Sequence, residues 1–170
     1  MGALAVYGEG SSDCETYSPD GDACDEGWSL DEYGHLYNWY AVDDSRELCP
    51  SGWTVPADEE WIELEMYLGM SASVANASGW RGNDEGSQLK TTYGWAESGI
   101  GDNSSLFSAL PCGNRHYYGF FVLGGDSGYW WSNSHTETAA FHRNLSNDFD
   151  SVMRSPINLG YGFSVRCIKD

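Results

Sequence analysis

The chain has 170 residues, with 26 acidic against 8 basic side chains and a formal net charge of −18 at pH 7. That length suits one domain, able to bury about two-thirds of its unfolded surface. The charge repels phosphate backbones and anionic membranes, so nucleic acid is not expected as a partner, and no apolar run reaches the roughly 18 residues of a transmembrane helix.

Met1-Gly2-Ala3 is not followed by a charged n-region and an apolar h-region. The sequence therefore reads as the C-terminal domain of a longer chain. Residues 1–48 read as a loop-rich entry segment, acidic and without period over 9–32. Within it His35-Leu36-Tyr37-Asn38-Trp39-Tyr40-Ala41-Val42 is an aromatic-rich buried element, strand or short helix. Residues 49–113 hold a helix and long loops. Cys49-Pro50-Ser51-Gly52 is a turn before an extended piece, and the clearest helix is Asp58 to Leu68. Asp58, Glu59 and Glu60 suit the positive end of its dipole. Trp61, Leu64, Tyr67 and Leu68 share one face, and Gly69 is a natural stop. Ala57 stands where a hydroxyl cap is preferred. From Met70 to Ser105 long loops are expected, anchored by Trp80 and Trp95, with short extended pieces near Leu89 and Trp95. Leu106–Pro111 reads as a further buried element. Short strands follow around Phe120–Leu123, Tyr129–Ser132, Ala139–His142, Ser151–Arg154 and Phe163–Arg166. The last belongs to a buried terminal strand over 162–170.

Five cysteines suggest staples. Cys14 and Cys24 bracket a turn-rich loop, and Cys49 and Cys167 flank the strongest order signals, so these two pairings are expected, leaving Cys112 free. No C-x-x-C pair supports zinc. Disulfides imply an extracellular, cell-surface or virion setting.

Residues 114–161 have a narrow palette. They contain no Lys, no Gln and a single Glu (Glu137), but are crowded with Asn, Ser, Tyr, His, Phe and Asp. Rigid aromatics for area and small polar groups for adaptable hydrogen bonds are what a binding face uses. A Gly- and aromatic-rich β region of ordinary function fits the same palette.

The motifs Tyr37-Asn38-Trp39, Cys49-Pro50-Ser51-Gly52-Trp53-Thr54-Val55-Pro56, Leu89-Lys90, Phe107-Ser108-Ala109-Leu110-Pro111, Trp130-Trp131-Ser132 and Gly162-Phe163-Ser164-Val165-Arg166-Cys167 occur in one order. In this the chain resembles the Fibrobacter succinogenes major paralogous domain, over nearly all of its length. The resemblance implies an α+β, C-type-lectin-like fold: a small twisted antiparallel sheet, one or two helices and long loops. It also implies the formylglycine-generating-enzyme group as relatives, and a subset whose C-terminal segment is diversified at adenines by a retroelement. There Asn codons of the AAC type become many residues but never Lys, Glu, Gln, Trp or Met, which matches the palette with Glu137, Trp130, Trp131 and Met153 at unmutated scaffold positions.

The resemblance places the variable, ligand-binding positions at Asn114, His116, Tyr117, Tyr118, Phe120, Asp126, Ser127, Tyr129, Asn133, His135, Phe141, His142, Asn144, Asn147, Asp148, Phe149, Asp150, Ser155, Asn158 and Tyr161. Trp130, Ser132, Arg143, Leu145, Val152, Arg154, Phe163 and Val165 form the fixed frame between them. Strand alternation gives this a physical basis: one face can vary while the other holds the core. Cys112-Gly113, where Gly-Gly is usual, and Ala57, where Thr is usual, depart from the family.

The sulfatase-modifying chemistry of the enzymatic relatives needs two reactive cysteines a few residues apart near the C-terminus. Cys167 stands alone there, so no catalytic activity and no catalytic residue is expected. His116, His135 and His142 lack metal-site spacing. Asp20-Gly21-Asp22 with Asp25-Glu26, and Asp102-Asn103, leave room for a structural Ca²⁺, although the first fails as an EF-hand loop. No cofactor is implied. Tyr117, Tyr118 and Phe149 are expected to be exposed, and most of Trp53, Trp61, Trp80, Trp95, Trp130 and Trp131 to be core. The expected function is a receptor-binding or adhesin domain for a cell-surface protein or glycan. The alternative is a fixed carbohydrate-binding or structural module of a secreted bacterial protein.

Overall fold

The computed structural model describes residues 6–7, 33–96 and 99–170. The fold is α+β. Its centre is a six-stranded mixed sheet of β4 (Gly79–Arg81), β5 (Cys112–Arg115), β6 (Phe121–Gly124), β7 (Ser127–His135), β8 (Ala139–Ser146) and β9 (Phe149–Asn158), in the order β4-β9-β8-β7-β5-β6. All neighbours are antiparallel except β5 and β7. Two ribbons flank it: β1 (Val6–Tyr7) with β2 (Leu36–Tyr37), and β3 (Trp53–Thr54) with β10 (Ile168–Lys169). The helices are α1 (Trp39–Val42), α2 (Asp58–Tyr67), α3 (Ala72–Ala75) and α4 (Glu85–Leu89). Cys14 and Cys24, and the Asp20–Glu26 segment considered for calcium, lie outside the described residues.

Trp130 and Trp131 point to opposite sides of β7, and each anchors a core. Trp130 packs with Trp61, Leu89, Trp95, Ala109, Leu145 and Val152. Trp131 packs with Trp39, Ala140, Leu159 and Phe163. The central strands are thus buried on both faces. The indole Nε1 groups find backbone acceptors: Trp39 donates to Ser132 O at 3.0 Å and Trp131 to Tyr37 O at 2.7 Å. The two donations cross-link α1 and β2 to β7.

Helix α2 ends at Tyr67, one residue before the expected limit. Its terminus has the double bond pattern of a Schellman cap, with Gly69 N–H to Met66 O and Met70 N–H to Glu65 O, and Gly69 supplies φ +125. The cap missing at Ala57 is replaced twice. Glu60 reaches back to the Ala57 N–H at 2.7 Å, and the Ser134 hydroxyl of β7 accepts from Asp58 N–H at 2.9 Å.

Of the apolar face expected for α2, Trp61 lies in the core with Leu64 and Leu68 packed against it, but the buried surface extends beyond that face. Tyr67 is 87% exposed, whereas Asp58 and Glu65 are buried. Three arginines cause this. Arg143 donates to Asp58 at 2.7 Å and to Glu65 at 2.6 Å, Arg154 to Asp58 at 2.6 Å, and Arg81 to Glu65 at 3.0 Å. Five charged groups from α2, β4, β8 and β9 thereby close on one another. Desolvating two carboxylates is costly, and paired guanidiniums of matching geometry offset it. Apolar periodicity cannot reveal a helix face buried by ion pairs.

Other expectations are corrected. Met70–Ser105 carries α3, β4 and α4; Leu89 ends a helix, and the extended piece expected near it is reduced to the single bridge of Lys90 to Ala109. Trp53 is 45% exposed. Residues 162–170 do not form one buried strand. Gly162, Phe163 and Ser164 are buried and make single bridges to Arg115, Tyr37 and Trp130, while the regular strand is displaced to exposed Ile168–Lys169. One short segment therefore joins three elements. Cys49 and Cys167 form a disulfide, and Cys112 is a free, buried thiol, its pKa pushed up to about 11 by burial.

Candidate functional site

The registers place the side chains of one sheet face in rows. Tyr129, Asn144, Met153 and Trp80 face each other across β7, β8, β9 and β4, and the next row is Trp131, His142 and Ser155. This is the face opposite the arginine cluster, since Trp130, Arg143 and Arg154 form the intervening row. Phe163 lies over the Trp131 end, with ring centroids 4.4 Å from Trp131, 4.9 Å from Tyr129 and 5.1 Å from His142.

Beyond Phe163 the rings become accessible. His116 stacks on Phe120 at 4.6 Å with an interplanar angle of 5°. It also meets Tyr117 at 4.3 Å and Tyr118 at 5.1 Å, and its Nε2 hydrogen-bonds the Tyr161 hydroxyl at 2.8 Å. Tyr161 closes on Phe163 at 5.7 Å, which joins this cluster to the sheet face. Tyr118 is 76% and Tyr117 42% exposed. The turn bearing them is shaped by backbone bonds: His116 N–H to Phe120 O, Gly119 N–H to His116 O, and Gly119 at φ +108.

The cluster carries little charge. Burial lowers the His116 pKa, and burial pushes His142 down to about 4. Burial raises the Tyr129 and Tyr161 phenols, and the Tyr118 hydrogen bond raises Tyr117. On a chain of net charge −18 this is an area of uncharged rings, with the Arg115 guanidinium beside Gly119 at its turn. It can stack rings and exchange hydroxyl hydrogen bonds.

The structure distributes the sequence-expected positions unevenly. His116, Tyr117, Tyr118, Phe120, Tyr129 and Tyr161 come together, with Asn158 exposed beside Gly160 and accepting its N–H. A second group gathers at the β8–β9 turn. Asn147 bonds Asp126 at 3.3 Å, Asp148 and Asp150 are exposed, and Phe149 stacks on Trp80 at 4.6 Å. Ser155 is half-buried on the sheet face. Asn133 and His135 sit apart at the end of β7, where Asn133 donates to Val55 O and His135 stacks on Trp39 at 4.2 Å. Phe141 lies on the opposite face, beneath the Arg154 guanidinium at 4.5 Å. Asn114, Ser127, His142 and Asn144 are buried, and their side chains are closed to a large ligand. Of the frame, Trp130, Ser132, Arg143, Leu145, Val152 and Phe163 are buried, and Arg154 is held in the ion cluster.

Trp80 and Met153 were not among the expected positions, yet they line the face beside Phe149. Only the isolated placement of Trp80 in a Gly-rich stretch hinted at a role. Lys90 also gains a role here. Its side chain is 1% exposed and its Nζ donates to Ser146 O and Phe149 O, both at 3.1 Å. Among the described residues no three His, Cys, Asp or Glu side chains gather as a metal site.

These features define an α+β domain with a face of uncharged aromatic rings on a strongly acidic body. Residues 11–169 match the family model of the Fibrobacter succinogenes major domain, and the chain belongs to that family. No curated protein and no solved structure matches it.

Proposed function

We propose that the protein is a non-enzymatic ligand-binding domain on a C-type-lectin-like scaffold. It presents a retroelement-diversified patch to a protein or glycan on a cell surface. The setting would be a phage receptor-binding tip or a bacterial surface protein, and the Cys49–Cys167 disulfide fits that setting. One observation carries the reading: eight positions of the narrow 114–161 palette are exposed between frame residues that are buried, although Asn114, Ser127, His142 and Asn144 of the same palette are buried too. Tyr117, Tyr118, Asn133, His135, Asp148, Phe149, Asp150 and Asn158 are exposed, against Trp130, Ser132, Arg143, Leu145 and Val152 buried. Affinity would come from the His116–Tyr117–Tyr118–Phe120–Tyr161 rings, and specificity from which residues stand there.

The test is codon sequencing of residues 105–170 across a natural population. Substitutions confined to adenines, concentrated at the exposed positions and sparing Trp130, Arg143 and Phe163, are expected. An invariant segment, or variation without adenine bias, would leave the domain a fixed carbohydrate-binding or structural module.

A further inference from the structure

A separate recess lies on the α2 side of the sheet, away from the aromatic face. It encloses about 290 Å³, the small end of ligand cavities, which run roughly from 300 to 1,000 Å³. The β3–β10 ribbon forms one wall, where Trp53 pairs with Lys169. Trp61 and Leu64 of α2, with Phe107, form the other. Trp53 is 45% and Ile168 38% exposed, so two large apolar side chains stand uncovered at the recess.

Three polar features distinguish this recess from a plain apolar groove. Trp61 is 3% exposed, and its Nε1 donor has no acceptor among the described residues. A buried N–H in that state calls for a partner. The Arg166 guanidinium lies 4.6 Å from the Phe107 ring centroid, and among the described residues no carboxylate forms an ion pair with it or with Lys169. Glu60, the one carboxylate in the lining, is turned to the Ala57 N–H at 2.7 Å. Two of the chain's 8 basic residues therefore line one recess with neither in an ion pair among the described residues.

We infer that this recess binds a small organic anion, with one or two rings seated on Trp53, Leu64 and Phe107 and a carboxylate or sulfonate held by Arg166. A guanidinium is planar and weakly hydrated, and it grips such oxygens in pairs. The Phe107 ring, 4.6 Å from the guanidinium, gives it a cation–π contact at the recess. The inference is independent of the display function and uses none of the same residues.

The probe is 1-anilinonaphthalene-8-sulfonate, titrated by fluorescence into the full chain at about 0.15 M salt, where a Debye length of roughly 8 Å screens the global negative field. Saturable one-to-one binding is expected. Arg166→Gln should weaken it about tenfold, the loss of one charge-assisted contact, and Trp53→Ala by a similar factor. Both residues are exposed, so folding should survive, which circular dichroism checks. Tyr118→Ala, on the aromatic face, should change nothing. N-phenyl-1-naphthylamine keeps the rings without the sulfonate, and should bind wild type more weakly and Arg166→Gln no worse than wild type. The inference is overturned by absence of saturable binding, by loss of binding in Tyr118→Ala rather than in the two recess variants, or by equal affinity of both probes for the wild type.

Discussion

His142 shows how one buried side chain couples the sheet face to pH. Tyr129, Trp131 and Phe163 surround its ring, Ser155 lies opposite on β9, and Arg143 is its chain neighbour. Burial drives its pKa from 6.5 to about 4, the Arg143 charge adds to the fall, and the Ser155 backbone hydrogen bond opposes it. The folded value lies below the unfolded one. Between the two, the unfolded chain takes up a proton that the folded chain refuses. The contribution to stability is therefore complete above about pH 6.5 and drains away as pH falls toward 4. Carboxylates and the net charge change over the same range, so the informative quantity is a difference. The unfolding free energy of wild type minus that of His142→Phe should stay constant above pH 7. It should shrink by roughly 2–4 kcal/mol on the way to pH 4. Urea titrations at four pH values measure it, and a flat difference would mean that the folded imidazole accepts a proton freely.

At the scale of elements, the β8–β9 turn is held by contacts to its backbone. Lys90, at the end of α4, grips the β8–β9 turn through two backbone carbonyls, Ser146 O and Phe149 O. Its ammonium also lies 5.5 Å from the Trp95 ring and 3.6 Å from Asp150 Oδ1. Any residue at Asn147 or Asp148 leaves those carbonyls in place. Replacing Lys90 with Met keeps the stem and removes the donors. Amide exchange at residues 146–150 should then rise at least tenfold while that of β7 stays unchanged. Asp148→Tyr should alter global stability by no more than about 0.5 kcal/mol. Uniform exchange rates in Lys90→Met would remove the clamp from this account. The Leu89-Lys90 pair stood out in the sequence, but its role did not, because a lysine seeking carbonyls leaves no periodic trace. Strands β6 to β9 were legible because alternation and turn glycines mark them. Their frame was legible too: Trp130, Arg143 and Val152 are buried as expected. Helix α2 was placed to within a residue, and Trp61, Leu64 and Leu68 pack on the core as expected, yet Tyr67 is exposed and the two buried carboxylates were missed. Asp58 and Glu65 owe their burial to arginines 16 to 96 positions away, which no local window contains. The burial of Asn114, Ser127, His142 and Asn144 was illegible for a similar reason. Polar residues read as surface until β7 is found covered on both sides.

Across the whole molecule, the C-terminal segment is tied to the rest by pairs of backbone bonds at separate points rather than along one long strand. Gly162, Phe163 and Ser164 each make a single bridge, to three different elements, and β10 pairs only with the two-residue β3. No ladder there exceeds two residues among the described residues, so the Cys49–Cys167 bond is a further fastener, across a sequence separation of 118. In the chain-entropy account a loop of that length is worth about 4–5 kcal/mol, and removal of a native disulfide typically costs 2–5 kcal/mol. Cys49→Ala/Cys167→Ala should accordingly lose about 2–5 kcal/mol in urea unfolding at neutral pH. The net charge of −18 adds a second effect. Self-repulsion among the carboxylates favours expansion, and it weakens as the Debye length falls from about 10 Å at 0.1 M salt to 3 Å at 1 M. The double variant, with its terminal segment released, has the least to set against that repulsion. Its melting temperature should climb over this salt range by more than that of the oxidised wild type. Equal stability of the two proteins would mean that the bridges at Gly162–Ser164 hold the terminus unaided. Phe163 would then keep its place over Trp131 and His142, and the aromatic face would persist without the disulfide.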